Sequence, residues 1–175
     1  RKIAIVTGGS KGIGRAICIE LAQHGFYIVI NYMQDKPGAE QTLATVEHLG
    51  GQGEIYQFDV RDGGATEKAV EDIAERLGRI DALINNAGIS MRANFEELDL
   101  SVIKEIMDTN FYGTVYCTKF ALPYLIKQKG TVIGISSVTG LTPLPGRTGY
   151  AASKYAMDGF LNTLRLETLK KGLHV

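Results

Sequence analysis

Lys2-Ile3-Ala4-Ile5-Val6-Thr7-Gly8-Gly9-Ser10-Lys11-Gly12-Ile13-Gly14 runs an apolar, β-branched stretch into a turn dense in glycine. Helical periodicity from Gly12 to His24 follows at once. A buried-type strand that feeds a helix through glycines is the setting in which such a motif binds phosphate. Gly8 permits the tight turn, Gly12 lets the backbone approach a ligand, and Gly14 lets the helix pack on the strand. Amides at the helix N-terminus then face a pyrophosphate, aided by the helix dipole.

Outward from that turn, short apolar runs alternate with helical stretches. Strands are expected at Lys2–Thr7, Phe26–Asn31, Glu54–Phe58, Ala82–Ile84 and Thr131–Ser136. Helices are expected at Gly12–His24, Pro37–Leu49, Gly64–Leu77, Ser101–Asn110, Gly113–Lys127 and Tyr150–Lys170. Gly25, Gly50-Gly51 and Gly78 stop the first three helices, and Pro123 is a candidate kink in the fifth. Strands alternating with helices argue for βαβ units and an α/β fold: a Rossmann-type, doubly wound parallel sheet with helices on both faces. Right-handed crossovers put a ligand at the carboxyl ends of the strands. We read one domain over residues 1–175, truncated after the sixth main helix, with Gly172-Leu173-His174-Val175 starting a further strand.

Composition narrows the classes. The chain is 45% hydrophobic and 22% charged, with 19 basic and 19 acidic residues, so its charge gives no reason to expect nucleic acid or an anionic membrane as partner. No apolar run is long enough to span a bilayer. The first strand leaves no room for a signal peptide, which points to a cytoplasmic protein. Cys18 and Cys117 lie far apart within helices and read as small buried hydrophobes. The isolated His24, His48 and His174 have no metal-ligand spacing, so no metal is expected.

Tyr150 and Lys154 share one face of the sixth helix, because residues at i and i+4 are neighbours there. A free phenol has a pKa of about 10, and a nearby ammonium stabilises its anion and brings it toward working pH. Such a pair can pass a proton to or from a carbonyl oxygen. Ser137, on the loop before that helix, can hydrogen-bond the same oxygen and polarise the carbonyl. Ser136 competes for that role, and alternation along the strand would turn the two serines to opposite faces.

Thr7-Gly-x-x-x-Gly-x-Gly14, Asp59-Val60, Asn85-Asn86-Ala87-Gly88, Asn110, Ser137 and Tyr150-x-x-x-Lys154 together resemble the short-chain dehydrogenase/reductase family, in its single-domain branch. The resemblance runs from Lys2 to Val175 and implies an NAD(P)-dependent oxidoreductase acting on a ketone or secondary alcohol. It implies a catalytic set of Asn110, Ser137, Tyr150 and Lys154, with Asn110 holding a water that links Lys154 to solvent. It places Asp59 and Val60 beside the adenine, and Asn86, Ala87 and Gly88 beside the nicotinamide. The full candidate cofactor set is Thr7, Gly8, Ser10, Lys11, Gly12, Ile13, Gly14, Asn31, Tyr32, Asp59, Val60, Asn86, Ala87, Gly88, Tyr150 and Lys154. The family also implies a homodimer or homotetramer paired through the last two helices. Its members continue with a strand, a substrate-covering loop and a final strand, so the C-terminal lid region is expected to be missing here.

The second strand ends in Asn31-Tyr32-Met33 with no carboxylate before Asp35, and Lys11 offers a charge to a 2′-phosphate. NADP is therefore expected over NAD. Loops Ile89–Glu97 and Val138–Gly149 border the substrate; Thr139, Leu141, Leu144 and Pro145 offer apolar surface, and Met91, Arg92 and Phe95 are further contacts. By family frequency the first candidate activity is a 3-oxoacyl-carrier-protein reductase. The alternatives are a dinucleotide-binding regulator without turnover and an inactive fragment of such an enzyme.

Overall fold

The computed structural model describes residues 1–175. Five strands, β1 (Lys2–Val6), β2 (Phe26–Tyr32), β3 (Gln52–Gln57), β4 (Ala82–Asn85) and β5 (Thr131–Gly134), form one parallel sheet in the order β3-β2-β1-β4-β5. Ile5 pairs with Val29 on one side and Leu83 on the other. The helices are α1 (Gly12–Gln23), α2 (Lys36–His48), α3 (Gly63–Leu77), α4 (Leu100–Ile106), α5 (Gly113–Gln128) and α6 (Thr148–Thr168).

Alternation within β1 explains why that strand is apolar throughout. Ile3 and Ile5 join a core with Ile73 of α3, Leu125 of α5 and Met157 of α6. Ala4 and Val6 join a second core with Cys18 of α1 and Val46 of α2. Covered on both faces, a parallel strand has no solvent side to leave polar. The two cysteines are free and buried, and burial pushes each thiol up to about 12.

The expected fourth and fifth helices are joined by a π-helical turn, Met107–Tyr112. Asn110 sits inside it and is 1% exposed. Such bulges are frequent at functional sites, and sequence periodicity gives no signal for one. Helix α5 continues through Pro123. β5 ends at Gly134, earlier than expected, because the chain turns there into a 3₁₀ segment at Val138–Gly140. At the far edge His174 bridges Thr131 in parallel, and Val132 N donates to His174 O at 2.8 Å. Gly172–Val175 thus starts a sixth line of pairing, as its sequence suggests. No helix is long and apolar enough to cross a membrane.

Crossovers leave β1 toward β2 and return toward β4, so the order reverses between β1 and β4. A crevice at the carboxyl ends follows from that reversal.

Candidate active site

A cleft of about 540 Å³ occupies that crevice, running from Asp59 and Arg61 past the glycine turn to Tyr150 and Lys154. Its floor is built by hydrogen bonds between the glycine turn and the end of β4. Thr7, 2% exposed, donates to Ile84 O and accepts from the amides of Asn86 and Ala87. Asn86 Nδ2 donates to Thr7 O at 2.9 Å and to Gly8 O at 3.1 Å. The turn after β1 and the end of β4 are thereby fixed to each other.

Glycine is required at several points of that turn. Gly8 has φ +64° and Gly12 φ +56°, both in the left-handed region that favours glycine. A Cβ on Gly14 would strike Gly8 O and lie 2.5 Å from Asn86 Nδ2, while one on Gly12 would meet nothing within 4 Å. Gly14 therefore serves packing, and Gly12 opens onto free space. Gly9 also matters: a Cβ there would meet Ile30 Cγ2 at 2.8 Å.

Helix α1 differs at its start from α2, α3 and α4. Asp35, Asp62 and Asp99 cap α2, α3 and α4 through side-chain carboxylates. At α1 the capping position is Lys11, which makes no side-chain cap, and the first turn has no acid. An uncapped, positively flanked N-terminus suits an anion. Arg15 reinforces it from behind, donating to Ser10 O at 2.6 Å, Gly38 O at 3.2 Å and Thr42 Oγ1 at 3.0 Å. Sequence reading missed Arg15, whose place one turn into α1 carries no motif.

Gly8, Ser10, Lys11, Ile13 and Gly14 line the cleft, as do Asn31, Asp59, Val60, Asn86, Ala87 and Gly88. Thr7 and Gly12 support the turn without lining that volume. Asn31 is 2% exposed, with Oδ1 accepting from Gly8 N and Nδ2 donating to Phe58 O, so its side chain holds the turn. Tyr32 needs correction. It is 6% exposed in the core with Ala39 and Val46 and does not reach the cleft, because alternation along β2 turns it inward; Met33 lines the cleft instead. Arg61, also missed, donates to both carboxylate oxygens of Asp59 and contacts Glu105. That guanidinium holds the Asp59 carboxyl below its usual range.

At the other end α6 carries Tyr150 and Lys154. Lys154 is 5% exposed; its Nζ donates to Ile135 O at 2.7 Å and lies 5.8 Å from the Tyr150 ring centre. Burial lowers the Lys154 pKa, and the Asp158 charge opposes that shift. Asn110 spends its side chain on packing: Oδ1 accepts from Ile89 N, and Nδ2 donates to Ile89 O and Ser153 Oγ. Any water it holds must use its backbone carbonyl, which also accepts from Thr114.

The two serines separate by where their protons go. Ser136 Oγ donates to Asp158 Oδ2 at 2.8 Å. Ser137 Oγ accepts from Thr139 N at 3.3 Å and Thr139 Oγ1 at 3.1 Å, so its own proton is free to give. Ser136 lies on the wall of the nucleotide cleft and Ser137 just beyond it. The Ser137 hydroxyl also caps the 3₁₀ segment.

The substrate-side loops are stitched together, Ala93 N donating to Gly146 O at 3.1 Å. Val138, Leu141, Leu144 and Phe95 are exposed. Thr139 and Met91, expected as contacts, are buried instead; Met91 packs against Gly149.

These residues fit a dinucleotide: open space over Gly12, an uncapped helix end, acceptors at Asp59, and donors at Lys154 and Ser137. The profile of the short chain dehydrogenase family matches residues 2–175. A 3-oxoacyl-(acyl-carrier-protein) reductase of Synechocystis sp. is 33% identical over 99% of this chain and 71% of that protein. The Staphylococcus aureus protein of that name, FabG, is 32% identical over the same shares. The acetoin dehydrogenase YohF from Salmonella typhimurium superposes with a TM-score of 0.91 at 34% identity, covering 98% of this chain and 69% of that one. On this fold, these matches and the motifs that line the cleft, the chain belongs to the short-chain dehydrogenase/reductase family, oxidoreductases of CH–OH groups that use a nicotinamide dinucleotide.

Proposed function

We propose that this chain carries an NADP-preferring carbonyl reductase site of the 3-oxoacyl thioester type. The observation that carries the reading is the pairing of a buried Lys154 beside Tyr150 with a Ser137 whose proton is uncommitted. Reduced nicotinamide, when bound, supplies the hydride. Ser137 donates a hydrogen bond to the substrate carbonyl oxygen and polarises it. Tyr150 gives that oxygen its proton, and the Lys154 ammonium stabilises the phenolate left behind. Lys154 also holds the nicotinamide ribose, Asp59 and Val60 border the adenine, and Asn110 fixes the loop at Ile89 against α6.

Two features support NADP over NAD. Lys11 and Arg15 place positive charge at the glycine turn, and Asp35 spends a carboxylate oxygen on Gly38 N, 3.0 Å away. Lys11→Ala is expected to weaken NADPH binding about tenfold, the worth of one charged hydrogen bond, and to leave NADH nearly unchanged. Nicotinamide fluorescence reads this cleanly in a chain without tryptophan. Equal losses for both nucleotides would remove Lys11 from 2′-phosphate recognition.

The exposed apolar rim at Val138, Leu141, Leu144 and Phe95 suits an acyl chain, and the Synechocystis and Staphylococcus relatives carry the matching name. The 34% identity to a protein named acetoin dehydrogenase favours a second reading, a small hydroxyketone or diketone. Assay of acetoacetyl thioester against acetoin and diacetyl separates them. Turnover of the thioester with NADPH is expected; turnover of the small ketones alone would transfer the proposal to the second reading. A shallow apolar groove at Phe111, Phe160 and Leu164 along α6 supports pairing of two copies through that helix.

A further inference from the structure

Asp158 lies one helical turn beyond Lys154, and no motif singles it out. Its Oδ2 accepts the Ser136 proton at 2.8 Å. The carboxylate is pressed under the turn that follows β5: a Cβ on Gly140 would come within 2.6 Å of Asp158 Oδ2 and 2.9 Å of Ser136 Oγ. Lys154, from the same helix, holds Ile135 O at 2.7 Å. Two consecutive residues of the strand end, Ile135 and Ser136, are therefore tied to two consecutive turns of α6. Ser137, next in sequence, is the first residue not tied to the helix.

We propose that Asp158 is a positioning residue: by taking up the Ser136 proton it locks the 136–140 turn onto α6 and leaves Ser137 the serine with a proton to give. The reasoning is one of donor inventory. A serine has a single O–H, and a carboxylate can only accept when ionised. A hydroxyl-to-carboxylate bond is charge-assisted and among the stronger ones available to a half-exposed turn. With Ser136 committed, the two adjacent serines cannot exchange roles, and the 3₁₀ segment capped by Ser137 keeps one orientation toward the substrate side. The role of Ser137 rests on the carbonyl reductase reading; the lock itself does not.

Asp158 has a second effect on its neighbour. Burial lowers the Lys154 pKa and the Asp158 charge opposes it. The carboxylates that line the cleft with Lys154 are already engaged: Asp59 and Glu105 with Arg61, and Asp35 with Gly38 N. The strand-end turn presents only the Ile135 carbonyl to Lys154, and Tyr150 lies a turn before it on α6.

Three variants of the whole chain separate the two effects without any substrate. Ser136→Ala removes the hydrogen bond and keeps the charge. Asp158→Asn removes the charge and keeps an oxygen that can accept. Asp158→Ala removes both. Amide hydrogen exchange at Thr139 and Gly140 is expected to quicken about tenfold in Ser136→Ala and Asp158→Ala and by a clearly smaller factor in Asp158→Asn, which keeps an acceptor without the charge. The Lys154 titration, followed by NMR of ε-¹³C-lysine and assigned with Lys154→Arg, is expected to move to lower pH in both Asp158 variants and not in Ser136→Ala. Should Asp158→Ala fail to fold, Ser136→Ala still tests the lock. Wild-type exchange at Thr139 and Gly140 in Ser136→Ala overturns the proposal. So does equal quickening in Asp158→Asn, since the charge and not the acceptor would then matter. Because both readouts use the resting protein, an absence of carbonyl reduction would count against the activity alone.

Discussion

Tyr150→Phe is expected to lower kcat for carbonyl reduction by about a thousandfold while leaving NADPH affinity within a few-fold of wild type. The magnitude is that of a lost general acid, about 10² to 10⁴ in rate. The fold gives the variant little reason to fail. Tyr150 is half-buried near the start of α6, and its hydroxyl makes no hydrogen bond to another protein group. Phenylalanine keeps the ring and its packing, so stability is expected to change by less than about 0.5 kcal/mol. The buried Lys154 ammonium stays in place, still bonded to Ile135 O and free to meet a ribose. Steady-state kinetics beside a fluorescence titration check both halves. A variant that turns over at the wild-type rate removes Tyr150 from the chemistry; one that loses NADPH as well shows that its hydroxyl serves binding.

How far the sequence reached depends on whether a feature repeats along the chain or arises between distant segments. The alternation of Ile3 and Ile5 against Ala4 and Val6 is local, and so the buried parallel strand was legible. Gly8 and Gly12 were legible for the same reason, each taking a positive φ in a turn a few residues long, whereas the contact that Gly14 makes room for at Asn86 lies far along the chain. Tyr32 was misplaced although the signal is local: it follows Ile28 and Ile30 on the alternating face of β2 that packs on α2. Arg15 and Arg61 went unseen because a cation's meaning lies in its partners, the Ser10 and Gly38 carbonyls and the Asp59 carboxylate. The Ser136–Ser137 choice shows the limit best. The family resemblance selects Ser137, but the difference between the two serines, a Ser136 proton taken by Asp158, exists only once α6 is packed on the strand end. The π-helical turn around Asn110 is of the same kind, since no residue motif within Met107–Tyr112 announces it.

Gly14→Ala is expected to damage nucleotide binding and stability together, and the geometry says why the two losses are linked. In an exposed helix, alanine for glycine stabilises by about 1 kcal/mol. Here the new methyl would enter the space of the Gly8 carbonyl oxygen and come within 2.5 Å of Asn86 Nδ2. Neither can yield cheaply. Gly8 is backbone at φ +64°, and Asn86 Nδ2 is the group that ties Thr7 O and Gly8 O to the end of β4. Relief requires α1 to move off β1, which breaks those bonds and shifts the uncapped helix N-terminus away from the position a pyrophosphate would take. Overpacking of this kind costs about 1–3 kcal/mol, which outweighs the helical gain. The expected result is a lowered Tm with NADPH affinity reduced tenfold or more, the latter corresponding to about 1.4 kcal/mol. Gly12→Ala provides the contrast, because its methyl meets open space and its penalty is the left-handed backbone alone, about 1–2 kcal/mol, added to obstruction of the ligand. Thermal unfolding and nicotinamide fluorescence on both variants decide the matter. If Gly14→Ala keeps the wild-type Tm and affinity, helix and strand are not held at contact distance, and the phosphate site must be sought elsewhere than the start of α1.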